Sequence, residues 1–172
     1  MNEVIKAIKE RRSVKSYKSD PVPTELLDAI LEAGTYAPTG RNMQSPIMIA
    51  VTDKALRDKL ASLNAAVMGM DGDPFYGAPA VIVVFADRRR MTYLYDGSLV
   101  MENLMLAAHS LGLGSCWIHR AKEVFDSEEG KEILKSLGIE GDYEGIGNCI
   151  IGYTHTPPAE RKPRKENYIY KI

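Results

Sequence analysis

The sequence predicts an α+β fold, on three observations. Ala80 to Ala86 is a β-branched, wholly apolar run that reads as a strand. Tyr93 to Leu111 is a long, largely apolar segment that reads as a helix, with Leu99, Met101, Leu104, Met105 and Ala108. Helical and extended segments also follow one another without the regular alternation of a doubly wound fold. The chain has 172 residues and 45% hydrophobic content, enough for one globular domain over 1–172 with a real core. It shows no internal repeat and no linker.

The elements follow in order. Residues 3–12 form a short helix, because Val4, Ile5 and Ile8 make one apolar stripe. Residues 16–23 are a polar connector, with Pro21 and Pro23 opposing helix. Thr24 is read as the N-cap of a second helix that carries Leu26, Leu27, Ile30 and Leu31 and closes at Gly34. The turn-rich stretch from Ala37 to Asn42 follows. Ile47 to Val51 is a buried strand. Asp53 caps a helix with Leu56, Leu60 and Leu63, and residues 69–79 are a glycine-rich loop, on which Met68 and Met70 are also read to lie. After the long helix, Gly112 and Gly114 lead into a strand over Ser115 to Ile118. Residues 127–137 are a polar helix, and Ile146 to Tyr153 is a glycine-punctuated strand. The pentad from Tyr168 to Ile172 reads as a strand that needs a sheet edge, which a partner subunit could supply. The wide apolar surface of helix 93–111 points to the same partner.

Composition excludes several classes. The formal net charge is −1, so no basic or acidic excess points to nucleic acid or to a membrane surface. No segment is long and apolar enough to span a bilayer, and the first residues carry no apolar secretory core. Cys116 and Cys149 form no CxxC pair, so neither a structural metal nor an iron–sulfur cluster is expected, and reduced thiols in the cytoplasm are the simplest reading. Gly112-Leu113-Gly114 and Gly145-Ile146-Gly147 precede strands, whereas a dinucleotide fingerprint must follow a strand and open a helix. No phosphate loop, HExxH or GxSxG motif is present, and Asp71 with Asp73 are too few ligands for calcium.

Three separated segments remain, together with the basic tail. They are Arg11-Arg12-Ser13-Val14-Lys15, the stretch from Ala37 to Pro46, and the stretch from Leu111 to Ile118. Lys162-Pro163-Arg164 comes near the end. In this combination and order the chain resembles the nitroreductase family of flavin mononucleotide (FMN) enzymes over nearly its whole length. The resemblance implies a central, mostly antiparallel sheet flanked by helices, in an intertwined homodimer whose C-terminal strand passes to the partner. It implies FMN as cofactor, NADH or NADPH as electron donor, and a small electron-poor acceptor such as a nitroaromatic or a quinone.

The resemblance also assigns residues. Arg11 and Arg12 would hold the phosphate, Ser13 the ribityl chain and Lys15 the pyrimidine edge of the ring. Pro38, Thr39, Gly40 and Asn42 would reach the flavin from the second subunit, with Gln44 supporting their turn. Ser115, Cys116, Trp117, Ile118 and His119 match the stretch beside the ring, where a backbone N–H faces flavin N5. Lys162 and Arg164 match the closing phosphate clamp, and Asn64 a further polar contact. No side chain is expected to be catalytic, because the chemistry belongs to the flavin. Two departures stand out: proline follows at Pro46 rather than directly after Gln44, and the helical insertion that shapes the substrate pocket of larger members is missing.

Elementary chemistry supports these assignments. A phosphate is nearly a dianion, and the arginine fork meets it with paired charge-assisted bonds. Reduction puts negative charge on the N1–C2=O side of a flavin, where a lysine offsets it. Taken singly, however, the same residues fit ordinary roles. Arg11 and Arg12 suit a helix C-terminus, Thr39 and Asn42 suit a turn, and Trp117 suits a core. Two other functions stay open at this point: a different FMN reaction, such as dehalogenation, dehydrogenation or flavin cleavage, and a non-catalytic flavin-binding sensor.

Overall fold

The computed structural model describes residues 2–158 and 160–172. Its centre is a four-stranded antiparallel sheet in the order β1-β2-β4-β3. The strands are β1 Pro46–Val51, β2 Ala80–Asp87, β3 Gly114–Ile118 and β4 Tyr143–Gly152. The antiparallel pairing expected from the family resemblance is present throughout.

β2 is central and buried along its whole length. Its alternation sends Val81, Val83 and Phe85 to one face and Ile82, Val84 and Ala86 to the other. A strand covered on both sides needs apolar residues at every position, which its run supplies. The first face is covered by α3 (Lys54–Met68) through Leu60 and by α5 (Ala121–Asp126) through Val124 and Phe125. Phe85 and Phe125 meet edge to face at 4.7 Å. The second face is covered by α4 (Tyr93–Ser110) through Met101, Leu104 and Ala108, with α2 (Thr24–Thr35) packed behind it through Leu27 and Ile30.

Several boundaries differ from the sequence reading. Thr24 is not a cap: Pro23 holds that position with an extended ψ of 140°, and its carbonyl accepts the first helical bonds from Leu26 and Leu27. Gly34 does not close α2 but lies inside it, because a Cβ there would stand 2.8 Å from Met48 Sδ and 2.9 Å from Leu104 Cδ2. β1 is a half-buried edge strand rather than a buried one. β4 begins three residues earlier than expected. The helix read over 127–137 is α6 (Glu128–Ser136), capped by Ser127, and α5 before it escaped the sequence reading. Met68 is the last residue of α3, not part of the loop. Asp53 caps α3 as expected, its carboxylate accepting from the Leu56 N–H at 2.8 Å.

Among the described residues, three apolar features find no cover. α1 (Glu3–Glu10) buries none of its residues, and its stripe is open to solvent, with Val4 64% and Ile8 51% exposed. The pentad 168–172 forms no strand here and is exposed throughout. The long helix α4 also leaves Leu94, Tyr95 and Leu99 exposed on its outer side.

Gly145 lets α5 lie directly on β4, since a Cβ would stand 2.5 Å from the Ala121 carbonyl oxygen. Backbone cannot yield as a flexible side chain can. Gly145→Ala is therefore expected to destabilise the fold by about 1–3 kcal/mol, read from the urea midpoint at unchanged slope.

Candidate functional site

After α1 the chain runs along the outer edge of β3. Ser13 bridges Ser115 in parallel, and the Val14 N–H donates to the Ser115 carbonyl at 3.0 Å. Val14 and Tyr17 anchor this segment in the core, and the Tyr17 hydroxyl donates to the Val14 carbonyl at 2.8 Å. Burial pushes the Tyr17 phenol well above its usual pKa. With Val14 turned inward, Ser13 and Lys15 are left exposed. The Lys15 ammonium lies over the Tyr76 ring, 5.6 Å from its centre.

Arg12 Nη1 donates to the carbonyls of Lys9, Glu10 and Arg11 at 3.3, 3.0 and 3.0 Å. It thus satisfies the open end of α1. Arg11 reaches the other way, its Nε standing 3.9 Å from Glu102 Oε1 on α4. The Nε atoms of both arginines are buried and have no hydrogen-bond partner among the described residues.

The C-terminal segment comes back to meet these groups. Arg11, Arg12, Ser13, Arg161, Lys162 and Arg164 line one cavity of about 460 Å³, with Glu160 as the carboxylate in its wall. Arg161 Nη2 donates to the Arg11 carbonyl at 3.4 Å. Loss of hydration depresses the Arg161 pKa first, and the positive charges of Arg12, Arg164 and Arg11 depress it further. The sequence reading placed Lys162 and Arg164 here but left Arg161 in the tail; its only sequence signal was membership of the same basic run.

The turn ahead of β1 is built around Asp96, a buried α4 carboxylate that the sequence reading missed. It accepts from the Gly40 N–H at 3.0 Å, from Thr92 Oγ at 3.0 Å and from Ser45 Oγ at 3.3 Å. Gly40 is required because any Cβ would collide with the Thr92 hydroxyl. Arg41, Asn42 and Gln44 take positive φ values of 53, 53 and 48°. That conformation is uncommon for residues other than glycine and persists only where its surroundings impose it. Gln44 supports the turn: its N–H donates to Thr39 Oγ1 at 3.0 Å and its Nε2 to Asn42 Oδ1 at 3.3 Å. Pro38 and Asn42 are exposed.

Along β3, alternation divides the expected ring-side stretch. Cys116 and Ile118 point into the core beneath α3 and α5, so only their main chain remains available to a ligand. Burial raises the Cys116 pKa, while Ser13, Lys15 and Arg11 pull it down; the Cys149 thiol is pushed up chiefly by burial. Both cysteines are free. Trp117 faces the other side, half-buried over Gly147, where a Cβ would strike the indole nitrogen. His119 is exposed, and its carbonyl accepts from Asn64 Nδ2 at 2.9 Å. Asn64 Oδ1 and Ser115 Oγ are buried without partners among the described residues.

The fold thus gathers Arg11, Arg12, Ser13, Lys162 and Arg164, but it does not bring the 38–44 turn to them. The turn feeds β1 at one edge of the sheet, and the cationic segment lies along β3 at the other. Three strand spacings, roughly 14 Å, separate those edges.

A fold of this topology with a cationic cleft at one sheet edge defines a class, and comparison with known proteins identifies it. The family model described as "Nitroreductase family" matches residues 8–69 and 67–153. A nitroreductase with bound FMN from Bacteroides fragilis superposes with a TM-score of 0.91 at 30% identity, over 100% of both chains. An Archaeoglobus fulgidus protein, provisionally named NADH dehydrogenase/NAD(P)H nitroreductase, is 33% identical over 159 residues, 89% of this chain and 86% of its own. A Methanothermobacter thermautotrophicus protein with the same provisional name is 33% identical over 119 residues. That match covers 67% of this chain, which spans 60% of the relative's length. The chain belongs to the nitroreductase family.

Asp96→Asn would present an N–H₂ group to donors that now meet a carboxylate. It is expected to cost about 1.5–3 kcal/mol of stability, measured by thermal melting. Unchanged melting would show that the 39–45 turn holds its shape without this carboxylate.

Proposed function

We propose that this chain is a single FMN-binding domain over 1–172 that works as a homodimer in the cytoplasm. In this reading it is an NAD(P)H-dependent oxidoreductase that passes two electrons to a small electron-poor acceptor, such as a nitroaromatic or a quinone. One observation carries the proposal: cationic side chains from both ends of the chain converge on one cavity and leave buried Arg11 and Arg12 nitrogens without partners. Such nitrogens fit a phosphate, which accepts several charge-assisted bonds at once. Asn64 Oδ1 is a second orphan, an acceptor suited to an imide N–H such as a flavin ring carries. The FMN bound in the superposed Bacteroides fragilis nitroreductase and the NAD(P)H in the names of the relatives support the same reading.

Bound FMN would supply the two-electron chemistry. The chain's own residues would bind and orient it. Arg11, Arg12, Lys162 and Arg164 would hold the phosphate and Ser13 the ribityl chain. Lys15 would place positive charge at the pyrimidine edge, where the reduced ring gathers negative charge. The main chain of residues 115–119 would lie beside the ring, with Trp117 and His119 flanking it. Donor and acceptor would use one ring face in turn, which gives ping-pong kinetics.

The second subunit would supply what one chain lacks. Pro38, Thr39, Gly40 and Asn42 stand at the opposite sheet edge from the cationic cavity, so they would reach a flavin in another copy. The uncovered stripe of α1, the outer side of α4 and the apolar tail are surfaces for such a partner. Burying each exposed Ile, Leu or Val is worth about 1.5–3 kcal/mol. Among the described residues β1 has no outer neighbour in the sheet, so residues 168–172 of the other subunit would pair there as a strand.

The purified protein should be yellow, and NADPH or NADH should bleach its flavin absorbance anaerobically. A colourless protein that takes up no added FMN refutes the cofactor assignment; flavin that neither nucleotide bleaches refutes the reductase. Arg11→Ala should weaken FMN binding by about 1.5–3 kcal/mol, read by calorimetry, and unchanged affinity would remove Arg11 from the phosphate site. Analytical ultracentrifugation should show a dimer, and a stable FMN-loaded monomer would overturn the shared site.

A further inference from the structure

We propose that Asn148 is a positioning residue: by holding the Ile118 carbonyl from β4, it aims the His119 N–H outward, toward the side on which the flavin ring would lie. The proposal rests on the FMN reading above and adds to it a residue that belongs to none of the sequence motifs.

Asparagine is out of keeping with its surroundings at this position. Asn148 stands in β4 opposite Val83 of β2 and Ile118 of β3, and is 2% exposed. Directly paired residues share one face of a sheet, so its side chain lies on the face that Val83, Ile118 and Ile150 make apolar. Asparagine is a poor strand former, and a buried amide is costly unless it is hydrogen-bonded. Asn148 Nδ2 donates to the Ile118 carbonyl at 3.3 Å. The next residue has a contact of the same kind. Asn64, fully buried on α3, donates from Nδ2 to the His119 carbonyl at 2.9 Å. Two buried amides thus hold two consecutive carbonyls.

Each contact fixes a peptide plane. In a trans peptide the N–H points away from the carbonyl of the preceding residue. A grip on the Ile118 carbonyl therefore sets the direction of the His119 N–H. Strand alternation says which direction that is. The Ser115 carbonyl faces outward from β3, where it accepts from the Val14 N–H. Main-chain groups alternate sides along a strand, so the Ile118 carbonyl, three residues on, faces inward to β4. The His119 N–H then points outward, to the side along which the segment from Ser13 runs. It donates to no backbone carbonyl among the described residues, and His119 is exposed. Arg120 follows with a φ of 78°, uncommon for a residue other than glycine, and turns the chain from β3 into α5. With the peptides before and after His119 both held, its N–H keeps one direction before any ligand arrives. A donor fixed in advance costs no reorganisation during a reaction.

The test compares Asn148→Val with the unaltered full chain. Valine suits a buried strand but cannot donate to Ile118. Calorimetry should show FMN affinity within about threefold of the original. In the FMN-loaded variant, bleaching of the flavin by saturating NADPH or NADH should slow by about tenfold or more, because the donor has lost its aim. In amide nitrogen–proton spectra, FMN loading should move the His119 signal of the unaltered chain downfield and move that of the variant much less. Asn148→Ala, read in the same way, serves if the valine variant fails to fold, and the His119 signal decides alone if neither nucleotide bleaches the flavin. A variant that keeps either the original bleaching rate or the full His119 response overturns the proposal. So does one that loses FMN affinity and rate in parallel, the mark of a merely structural residue. An unaltered chain that binds FMN with no response at His119 overturns the proposal and leaves the FMN reading standing. Failure of the unaltered chain to bind FMN removes that reading, and this proposal with it.

Discussion

Positive charge gathered in one place with too little carboxylate to balance it is the constraint on which the rest of this structure turns. Arg11, Arg12, Arg161, Lys162 and Arg164 share one cavity wall with Glu160. Two like charges about 5 Å apart repel by roughly 1 kcal/mol in water and about 3 kcal/mol at a protein surface. Loss of hydration first, and that repulsion second, depresses the Arg161 pKa. The fold offsets it locally, through the α1 carbonyls that accept from Arg12 and through Glu102 beside Arg11. These contacts leave the Nε of each arginine unmet. An anion placed there would relieve both the repulsion and the missing hydrogen bonds.

The sheet decides where that anion can sit and what else can reach it. β2 and β4 are interior strands, so ligand-facing groups must come from the two edges. The segment beside β3 presents Ser13 and Lys15 because Val14 is tied into the core. The segment before β1 is held in an uncommon conformation by Asp96. In one chain the two segments stand at opposite edges of the sheet. The stripe of α1 and the outer side of α4 are left as exposed apolar surface.

Much of this was legible in the sequence. The β2 run, the capped start of α3 and the long α4 follow from local patterns, and the structure has all three. The family resemblance singled out Arg11, Arg12, Ser13, Lys162 and Arg164, and these side chains line one cavity. Other features left no local signal. Asp96 reads as one more acidic residue in a helix, and only packing turns it toward Gly40 and Ser45. Gly34 reads as a helix end, although its hydrogen atom makes room for Met48 and Leu104. Cys116 and Ile118 fall within the expected ring-side stretch, yet strand alternation buries their side chains.

The sequence by itself determined most of the helices and strands, the α+β class and the residue types able to hold an anionic nucleotide, but not α5 or the state of residues 168–172. These depend on short-range spacing, capping and charge, which act within a few residues along the chain. Tertiary structure alone decided that Asp96 organises the 39–45 turn and that the cationic segment and this turn stand at opposite edges of the sheet. Those outcomes depend on strand order and on which face of the sheet each helix covers. Long-range burial sets both, and no local pattern encodes it.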